Sequence, residues 1–157
     1  MLKHLSAQVH QAIEKELYYV ALYTALTLPD IAGAVEYGNK VKNGERYRRW
    51  LDDFAGREFS VNWSGFSSQD CWNLRNSILH EGNTEHTLMA LRCRDTVASP
   101  GVYQRQDGKL VIDLNPFCQN LCRAFDVWLW DKEESDLSFR QRLESAPTVQ
   151  KGKLVFH

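Results

Sequence analysis

An apolar residue recurs every three or four positions along the first part of this chain, and this spacing restricts it to helical folds. The stripe consists of Leu2, Leu5, Val9, Ile13, Leu17 and Val20. Residues at these steps share one face of an α-helix, which must be covered by other elements. We therefore predict a long first helix that runs from Leu2 to about Leu26 and is interrupted by Pro29.

The same period predicts further helices downstream. Residues 30–37 have the composition of a short helix, whereas residues 38–44, with two glycines and two asparagines, are typical of an exposed loop. Helical spacing resumes over residues 45–54. Its apolar positions are Tyr47, Trp50, Leu51 and Phe54.

A fourth helix is predicted after the connector at residues 60–69. Ser67 followed three positions later by Asp70 is typical of a helix N-cap with an acidic residue in the first turn. Gly82 is well placed as the left-handed residue that ends this helix. The apolar face between them consists of Cys71, Trp72, Leu74, Ile78 and Leu79.

The period changes to short β-prone runs at residues 88–94 and 102–114. Asp107-Gly108 between two such runs predicts a β-hairpin. Asn115-Pro116 then begins another long helix, and residues beyond Glu134 are expected to form one more helical piece and a polar tail. The predicted fold is a mainly α helical bundle with a small β-hairpin insertion at about 88–114, forming one domain over residues 1–157.

Charge and composition limit the classes of function. The net charge of −1 argues against binding of nucleic acid through a generally basic surface, so any phosphate contact must be local. No apolar run is long enough for a membrane span or a signal peptide, which predicts a soluble, unexported, cytoplasmic protein. The cysteines are expected to be reduced and buried, and Cys118 and Cys122 are expected to pack in the core rather than bind a metal. No cofactor is expected.

The stretch NLRNSILHEG, residues 73–82, places Arg75, Asn76 and His80 close together near a helix end. In an α-helix Asn76 and His80 are only about 40° apart around the axis, whereas Arg75 and His80 are about 140° apart. A long arginine side chain can curl round the helix, and a two-fold dimer would set two such groups along one cleft. We therefore expect a homodimer to resolve the mismatch.

These three residue types suit the cleavage of RNA without a metal. A guanidinium binds phosphate, a carboxamide orients phosphate or ribose, and an imidazole exchanges a proton near neutral pH. The predicted reaction is attack of a 2′-hydroxyl on the adjacent phosphorus, with His80 as acid or base and Arg75 stabilising the transition state. Because a helix C-terminus attracts cations, protonated His80 acting as general acid is favoured.

The pattern Arg75-Asn76-x-x-x-His80 resembles the signature of HEPN (higher eukaryotes and prokaryotes nucleotide-binding) domains. The stretches ALTLPDIAGAVEYG, RYRRWLDDF, DCWNLRNSILHEG and LVIDLNPFCQNL are similar to small bacterial proteins of this type, so the resemblance covers most of the chain. The resemblance implies a helical bundle that dimerises across the motif helix. It also implies that the protein is a metal-independent ribonuclease of a toxin–antitoxin or antiviral-defence system, with an antitoxin or defence protein as its partner. Gly82 stands where nucleotidylated family toxins carry tyrosine, so control by a nucleotidyltransferase is not implied.

Structural explanations remain open beside this hypothesis. Arg75 would form a surface ion pair with Asp70 or Glu81, and His80 would supply a positive charge at a helix end. The protein would then be a non-catalytic HEPN-like binding or dimerisation module.

Two other groups of polar residues are left out of the predicted site. Asp30 follows Pro29 at a helix start, where a carboxylate is stabilising, so a structural role is favoured for Asp30, and Glu36 is left out of the site with it. The run Arg46, Arg48 and Arg49 with Tyr47 and Trp50 predicts either an RNA surface or a helix that is half core and half solvent, with the second more usual.

Overall fold

Helices make up most of the chain that the computed structural model describes, which is residues 2–38, 40–56, 66–81, 89–92, 103–106, 109–145, 148–150 and 153–155. The prediction of a mainly helical fold is confirmed. In chain order the helices are α1 Leu5–Glu14, α2 Tyr18–Tyr37, α3 Asn43–Trp50, α4 Ser68–Asn76, α5 Leu114–Ser135 and α6 Leu137–Ser145. The strands are β1 Met89–Arg92, β2 Tyr103–Gln106, β3 Lys109–Asp113, β4 Thr148–Gln150 and β5 Lys153–Val155.

The first predicted helix is divided at a different place from the one expected. The chain turns after α1, where Glu16 adopts a left-handed φ of 58°, and α2 then continues through Pro29 to Tyr37. The prediction that Pro29 interrupts the helix is therefore wrong, and residues 30–37 are the second half of α2. Leu28 and Pro29 are both buried, so packing outweighs the backbone hydrogen bond that proline cannot donate. Leu17 and Val20 leave the apolar stripe and are 50% and 53% exposed.

Helix α2 is the central element of the bundle and packs against α1, α3 and α5. Large aromatic side chains fill the space beside it, and the buried rings of Trp50 and Trp128 meet edge to face at 6.2 Å. Glu36 near the end of α2 accepts a hydrogen bond from Trp128 Nε1 at 3.1 Å and pairs with Lys132 Nζ at 3.2 Å. This arrangement gives Glu36 a structural role.

Helices α2 and α3 approach each other closely because α2 carries a glycine at the contact. A Cβ atom placed on Gly33 would lie 2.7 Å from the backbone oxygen of Arg46. Helix α3 begins at Asn43, earlier than predicted, and passes after Trp50 into a π-helical segment, Leu51–Ala55. The close approach brings the first turns of α3 against the second half of α2.

A small three-stranded sheet in the order β1-β3-β2 stands at the predicted insertion. Strands β2 and β3 are antiparallel with Gln106 opposite Lys109, which confirms the hairpin, although its turn at Asp107-Gly108 lies outside the described residues. The sheet differs from a lone hairpin because β1 pairs in parallel with the central strand β3. Strand β3 leads directly into α5. The predicted polar tail contains a second pair, β4 with β5.

The cysteines in the described part of the chain are core residues. Cys71, Cys118 and Cys122 are fully buried and reduced, as predicted, whereas Cys93 lies outside the described residues. Gly82, the predicted end of the fourth helix, also lies outside them. No helix in the described ranges combines the length and the apolarity needed to cross a bilayer.

Gly33→Ala should lower the free energy of unfolding by about 1–3 kcal/mol, because the new methyl group would push the backbones of α2 and α3 apart. Gly56→Ala is the matched control, since Gly56 has helical angles and a Cβ placed there would have no atom within 4 Å. Urea denaturation of both variants measures the difference. Equal stability of the two variants would contradict the close approach.

Candidate functional site

The helix that carries the predicted site starts with a complete capping box. The Ser67 hydroxyl accepts a hydrogen bond from the Asp70 backbone N–H at 3.2 Å, and the Asp70 carboxylate accepts one from the Ser67 backbone N–H at 2.8 Å. Two of the N–H groups that a helix start leaves unpaired are thereby satisfied. The predicted N-cap is confirmed, and it sets where α4 begins.

The last turn of this helix is π-helical rather than α-helical. Helix α4 ends at Asn76 and continues as a π-helical turn over Ser77–Glu81. A π-helix closes its hydrogen bonds between residues five apart, so such residues come near one another, whereas in an α-helix they point about 140° apart. The π-helical turn therefore brings Arg75 and His80 to the same side of the helix, although α-helical spacing would separate them around the axis. No dimer is needed to bring these two side chains together.

The three predicted site residues form one hydrogen-bonded cluster centred on Arg75. Its Nη1 lies 3.0 Å from His80 Nε2 and donates to Asn76 Oδ1 at 3.1 Å. The Arg75 side chain is only 14% exposed, whereas His80 is exposed at the end of the helix. An imidazole accessible to solvent thus stands directly against a largely buried guanidinium.

Asp30, which lies outside the predicted site, is the main partner of Arg75. Its Oδ2 lies 2.9 Å from both Nε and Nη2 of Arg75, and the Asp30 side chain is 16% exposed. Asp30 lies in the middle of α2, so the helix-start role predicted for it is wrong. Its Oδ1 is buried and has no hydrogen-bond partner among the described residues. Because Asp30 is 45 positions from Arg75 in the chain, no local spacing reveals the pair.

These contacts use most of the donors that Arg75 possesses. A guanidinium carries five N–H groups. Within the described residues, Asp30 takes Nε–H and one Nη2–H, while Asn76 and His80 take both Nη1–H groups. One Nη2–H remains for an external acceptor. The arginine is held rigidly, and a phosphate that binds it in a bidentate manner must displace one of the internal partners.

The contact between Arg75 and His80 is compatible with one tautomer of the imidazole. Arginine donates hydrogen bonds and cannot accept them, so His80 Nε2 must be the acceptor at 3.0 Å. A protonated imidazole has a hydrogen on both nitrogens and cannot make this contact. The arrangement therefore fits neutral His80 with its proton on Nδ1. This favours a general-base role over the general-acid role that the helix terminus predicted.

Aromatic side chains form the floor beneath Arg75. The Arg75 guanidinium lies 5.2 Å from the centre of the Trp72 ring, which in turn lies 5.2 Å from the Tyr47 ring. Trp72 fits against α3 because Gly44 has no side chain: a Cβ there would lie 2.9 Å from the indole. These contacts fix the guanidinium plane from below.

The groups under this floor are unreactive. The fully buried Tyr47 hydroxyl donates to the Leu26 carbonyl oxygen at 3.3 Å and lies 3.5 Å from Cys71 Sγ. Burial raises the pKa of the Cys71 thiol to about 12 and raises the pKa of Tyr47 as well. Cys71 is therefore neutral at physiological pH and is no candidate nucleophile.

Of the two arrangements predicted for the basic run on α3, the structure has the helix that is half core and half solvent. Tyr47 and Trp50 are fully buried and cannot stack on RNA bases, which removes the aromatic part of the predicted RNA surface. Arg49 is exposed and stacks over the Tyr37 ring at 4.4 Å. Arg49 therefore lies on the surface and Arg46 and Arg48 are half-buried, while the aromatic residues of this run belong to the core.

Comparison of this chain with protein-family models, curated proteins and solved structures finds no match. In the part of the chain that the structure describes, no three histidine, cysteine, aspartate or glutamate side chains cluster in a way that suits a metal ion.

We expect strong energetic coupling between Asp30 and Arg75, because both side chains are largely buried. Removing either one would leave the other buried and unpaired. A double-mutant cycle with Asp30→Asn and Arg75→Gln should give an interaction free energy of about 1–3 kcal/mol in urea denaturation. The exposed pair Arg140 and Glu144, at 3.7 Å, serves as the control and should give less than about 0.5 kcal/mol. Similar values for the two pairs would contradict a structural role for the Asp30–Arg75 pair.

Proposed function

We propose that this protein is a metal-independent endoribonuclease of HEPN type that acts in the cytoplasm. The observation that carries the proposal is the π-helical turn, which sets His80 Nε2 3.0 Å from Arg75 Nη1. An exposed proton acceptor next to a fixed positive charge is the minimum that cleavage by a 2′-hydroxyl requires. The Asn76 carboxamide accepts a hydrogen bond from the same guanidinium and is available to orient phosphate or ribose.

Asp30 is the positioning residue of this site. Its carboxylate holds two nitrogen atoms of Arg75 at 2.9 Å, which keeps Nη1 directed toward Asn76 and His80. A guanidinium fixed in this way stabilises developing negative charge without having to reorganise during the reaction. Asp30 does not touch the substrate, so it acts only through Arg75.

Substrate entry begins at the donor that Arg75 still has available. A non-bridging phosphate oxygen accepts the remaining Nη2–H, and a second oxygen replaces His80 at Nη1. This exchange frees the lone pair on His80 Nε2 at the moment when the phosphate arrives. The imidazole is then placed beside the scissile group as a neutral base.

The chemical step follows from this placement. His80 Nε2 takes the proton from the ribose 2′-hydroxyl while the 2′-oxygen bonds to phosphorus and the bond from phosphorus to the 5′-oxygen breaks. Arg75 stabilises the charge on the non-bridging oxygens in the transition state. The 5′-oxygen leaves with a proton from a solvent water molecule, and protonated His80 gives its proton to the hydroxide that remains, which returns the imidazole to its neutral form. The products are a 2′,3′-cyclic phosphate and a 5′-hydroxyl end.

A non-catalytic module is the second candidate, and the internal saturation of Arg75 favours it. Four of the five guanidinium N–H groups already have partners in the described residues. In that case the cluster would fasten α4 to α2 and present a surface for a second copy or for an antitoxin or defence protein. Such a module would show no cleavage under any condition.

His80→Gln should lower the rate of RNA cleavage in EDTA by at least about 100-fold, because glutamine can still accept from Arg75 but cannot move a proton. Arg75→Lys should also abolish most activity, since lysine keeps the charge beside Asp30 but loses the planar fork. Both substitutions disturb the buried pair less than Arg75→Ala does. Cleavage is followed on a labelled oligoribonucleotide, and the ends are identified by mass spectrometry.

His4→Gln is the matched control, because His4 is exposed in the turn that precedes α1 and lies outside the site. It should cleave as fast as the parent chain. Unchanged cleavage by His80→Gln, or a strict requirement for a divalent cation, would refute the proposed reaction. Absence of cleavage by the parent chain would leave the binding module as the function.

A further inference from the structure

We infer that the groove between α1 and α5 binds a small zwitterion with an α-amino-acid head group. Asp126 accepts from the ammonium group of this ligand, and His10 and Gln119 donate to its carboxylate. The site goes beyond the proposed function, because neither α1 nor α5 supplies a side chain to the cluster around Arg75. The groove has a volume of about 290 Å³ and is lined by His10, Gln119, Arg123, Asp126 and Val127.

Helices α1 and α5 run antiparallel and are joined by two polar contacts. Lys3 Nζ, in the turn before α1, lies 2.7 Å from Glu133 Oε2. About one turn further on, the Ser6 hydroxyl donates to Asp126 Oδ1 at 2.6 Å. The residue number thus falls along α5 as it rises along α1. The next turn of α1 therefore lies beside residues 119–123.

His10 stands at this next turn, where the two helices have no corresponding contact. It follows Ser6 by four residues, so it lies on the same face of α1. The His10 side chain is exposed, and within the described ranges no hydrogen bond or ion pair joins it to α5. The groove opens here, with His10 on its α1 wall and Gln119 and Asp126 on its α5 wall. A third polar contact between the helices is therefore left to a ligand.

Asp126 is a carboxylate that the protein already holds in place. Ser6, which donates to its Oδ1, is only 5% exposed, so this hydrogen bond is shielded from water. Burial, together with the neighbouring Asp126 charge, raises the pKa of the Cys122 thiol to about 12. Cys122 is therefore neutral and adds no charge behind the carboxylate. Among the described residues Asp126 Oδ2 has no partner, which leaves it for a donor on the ligand.

The α5 wall of the groove carries charges of both signs. Arg123 and Asp126 are three residues apart, so they lie on the same side of the helix. Arg123 has a further partner, so it contributes its positive charge to the groove rather than free donors. A ligand with a single charge would be attracted by one of these residues and repelled by the other. A zwitterion is attracted by both.

His10 and Gln119 supply the donors that a carboxylate needs. A neutral imidazole has one N–H group and a carboxamide has two, and a carboxylate accepts from both kinds. Gln119 precedes Asp126 by seven residues, which is roughly 10 Å along the axis of α5. Two hydrogen bonds of about 2.8 Å, with an amino-acid head group between them, can span this separation.

The size and the edge of the groove restrict the rest of the ligand. Pockets for small molecules have volumes of about 300–1,000 Å³, so this groove suits a single amino acid rather than a larger cofactor. Val127 is 51% exposed and provides an apolar edge for the side chain of the ligand. A metal ion is a poorer candidate, because the described residues include no group of three histidine, cysteine or acidic side chains that could hold one.

Isothermal titration calorimetry of the parent chain with each of the standard L-amino acids tests this site. At least one of them should bind with a Kd of about 1 mM or lower. The corresponding amine, which lacks the carboxylate, and the corresponding acid, which lacks the ammonium group, should each bind at least about tenfold more weakly, since each loses one charged contact.

Asp126→Asn should weaken binding of the same amino acid at least about tenfold, because asparagine can still accept from Ser6 but carries no charge. His10→Ala should weaken it by about threefold or more. Asp131→Asn is the matched control for the lost charge, since Asp131 is exposed and lies about 140° around α5 from Asp126. His4→Ala is the control for the lost imidazole. Both controls should bind like the parent chain.

Three results would each overturn the site: no binding of any amino acid, equal binding of the amine or the acid, or the same loss in Asp126→Asn and Asp131→Asn. None of these results bears on RNA cleavage, because the groove and the cluster around Arg75 share no side chain. A parent chain that cleaves RNA but binds no amino acid keeps the proposed function and loses the groove site. One that binds an amino acid as described but never cleaves RNA keeps the groove site alone.

Discussion

The ion pair between Asp30 and Arg75 is the interaction on which the arrangement of the site depends. It joins the middle of α2 to the end of α4 at 2.9 Å in a setting where both side chains are mostly shielded from water. A charge in such a setting must be paired, so the two helices are held in one register. Asn76, His80 and the indole of Trp72 contact the Arg75 guanidinium, which the ion pair with Asp30 holds in position.

Much of the fold follows from local patterns in the sequence. The capping box of Ser67 and Asp70 and the Asp107-Gly108 hairpin signal each depend on a few neighbouring residues, and the structure has the elements they predict. The effect of Pro29 is not predictable in this way because it depends on what surrounds the residue, and α2 stays continuous where Pro29 is buried in the core. The parallel pairing of β1 with β3 joins segments far apart in the chain, which no local pattern encodes.

The site is predictable in composition but not in geometry. Arg75, Asn76 and His80 are recognisable by residue type, yet their mutual placement depends on a π-helical turn that α-helical spacing does not reveal. Asp30 escapes prediction for a related reason, since its partner is distant in the chain and the carboxylate has a plausible local role after Pro29. The wider turn changes His80 from a charge at a helix end into an acceptor for Arg75, and so changes the role expected of it.

The most direct test of this account is the tautomer of His80, observed by two-dimensional ¹H–¹⁵N NMR of the imidazole and assigned by its loss in His80→Gln. If Arg75 donates to Nε2, the spectrum near neutral pH should show Nδ1 protonated and Nε2 as the unprotonated nitrogen. Arg75→Lys should shift the Nε2 resonance. A hydrogen on Nε2, in either the neutral or the charged ring, would contradict the cluster on which the proposed reaction is built.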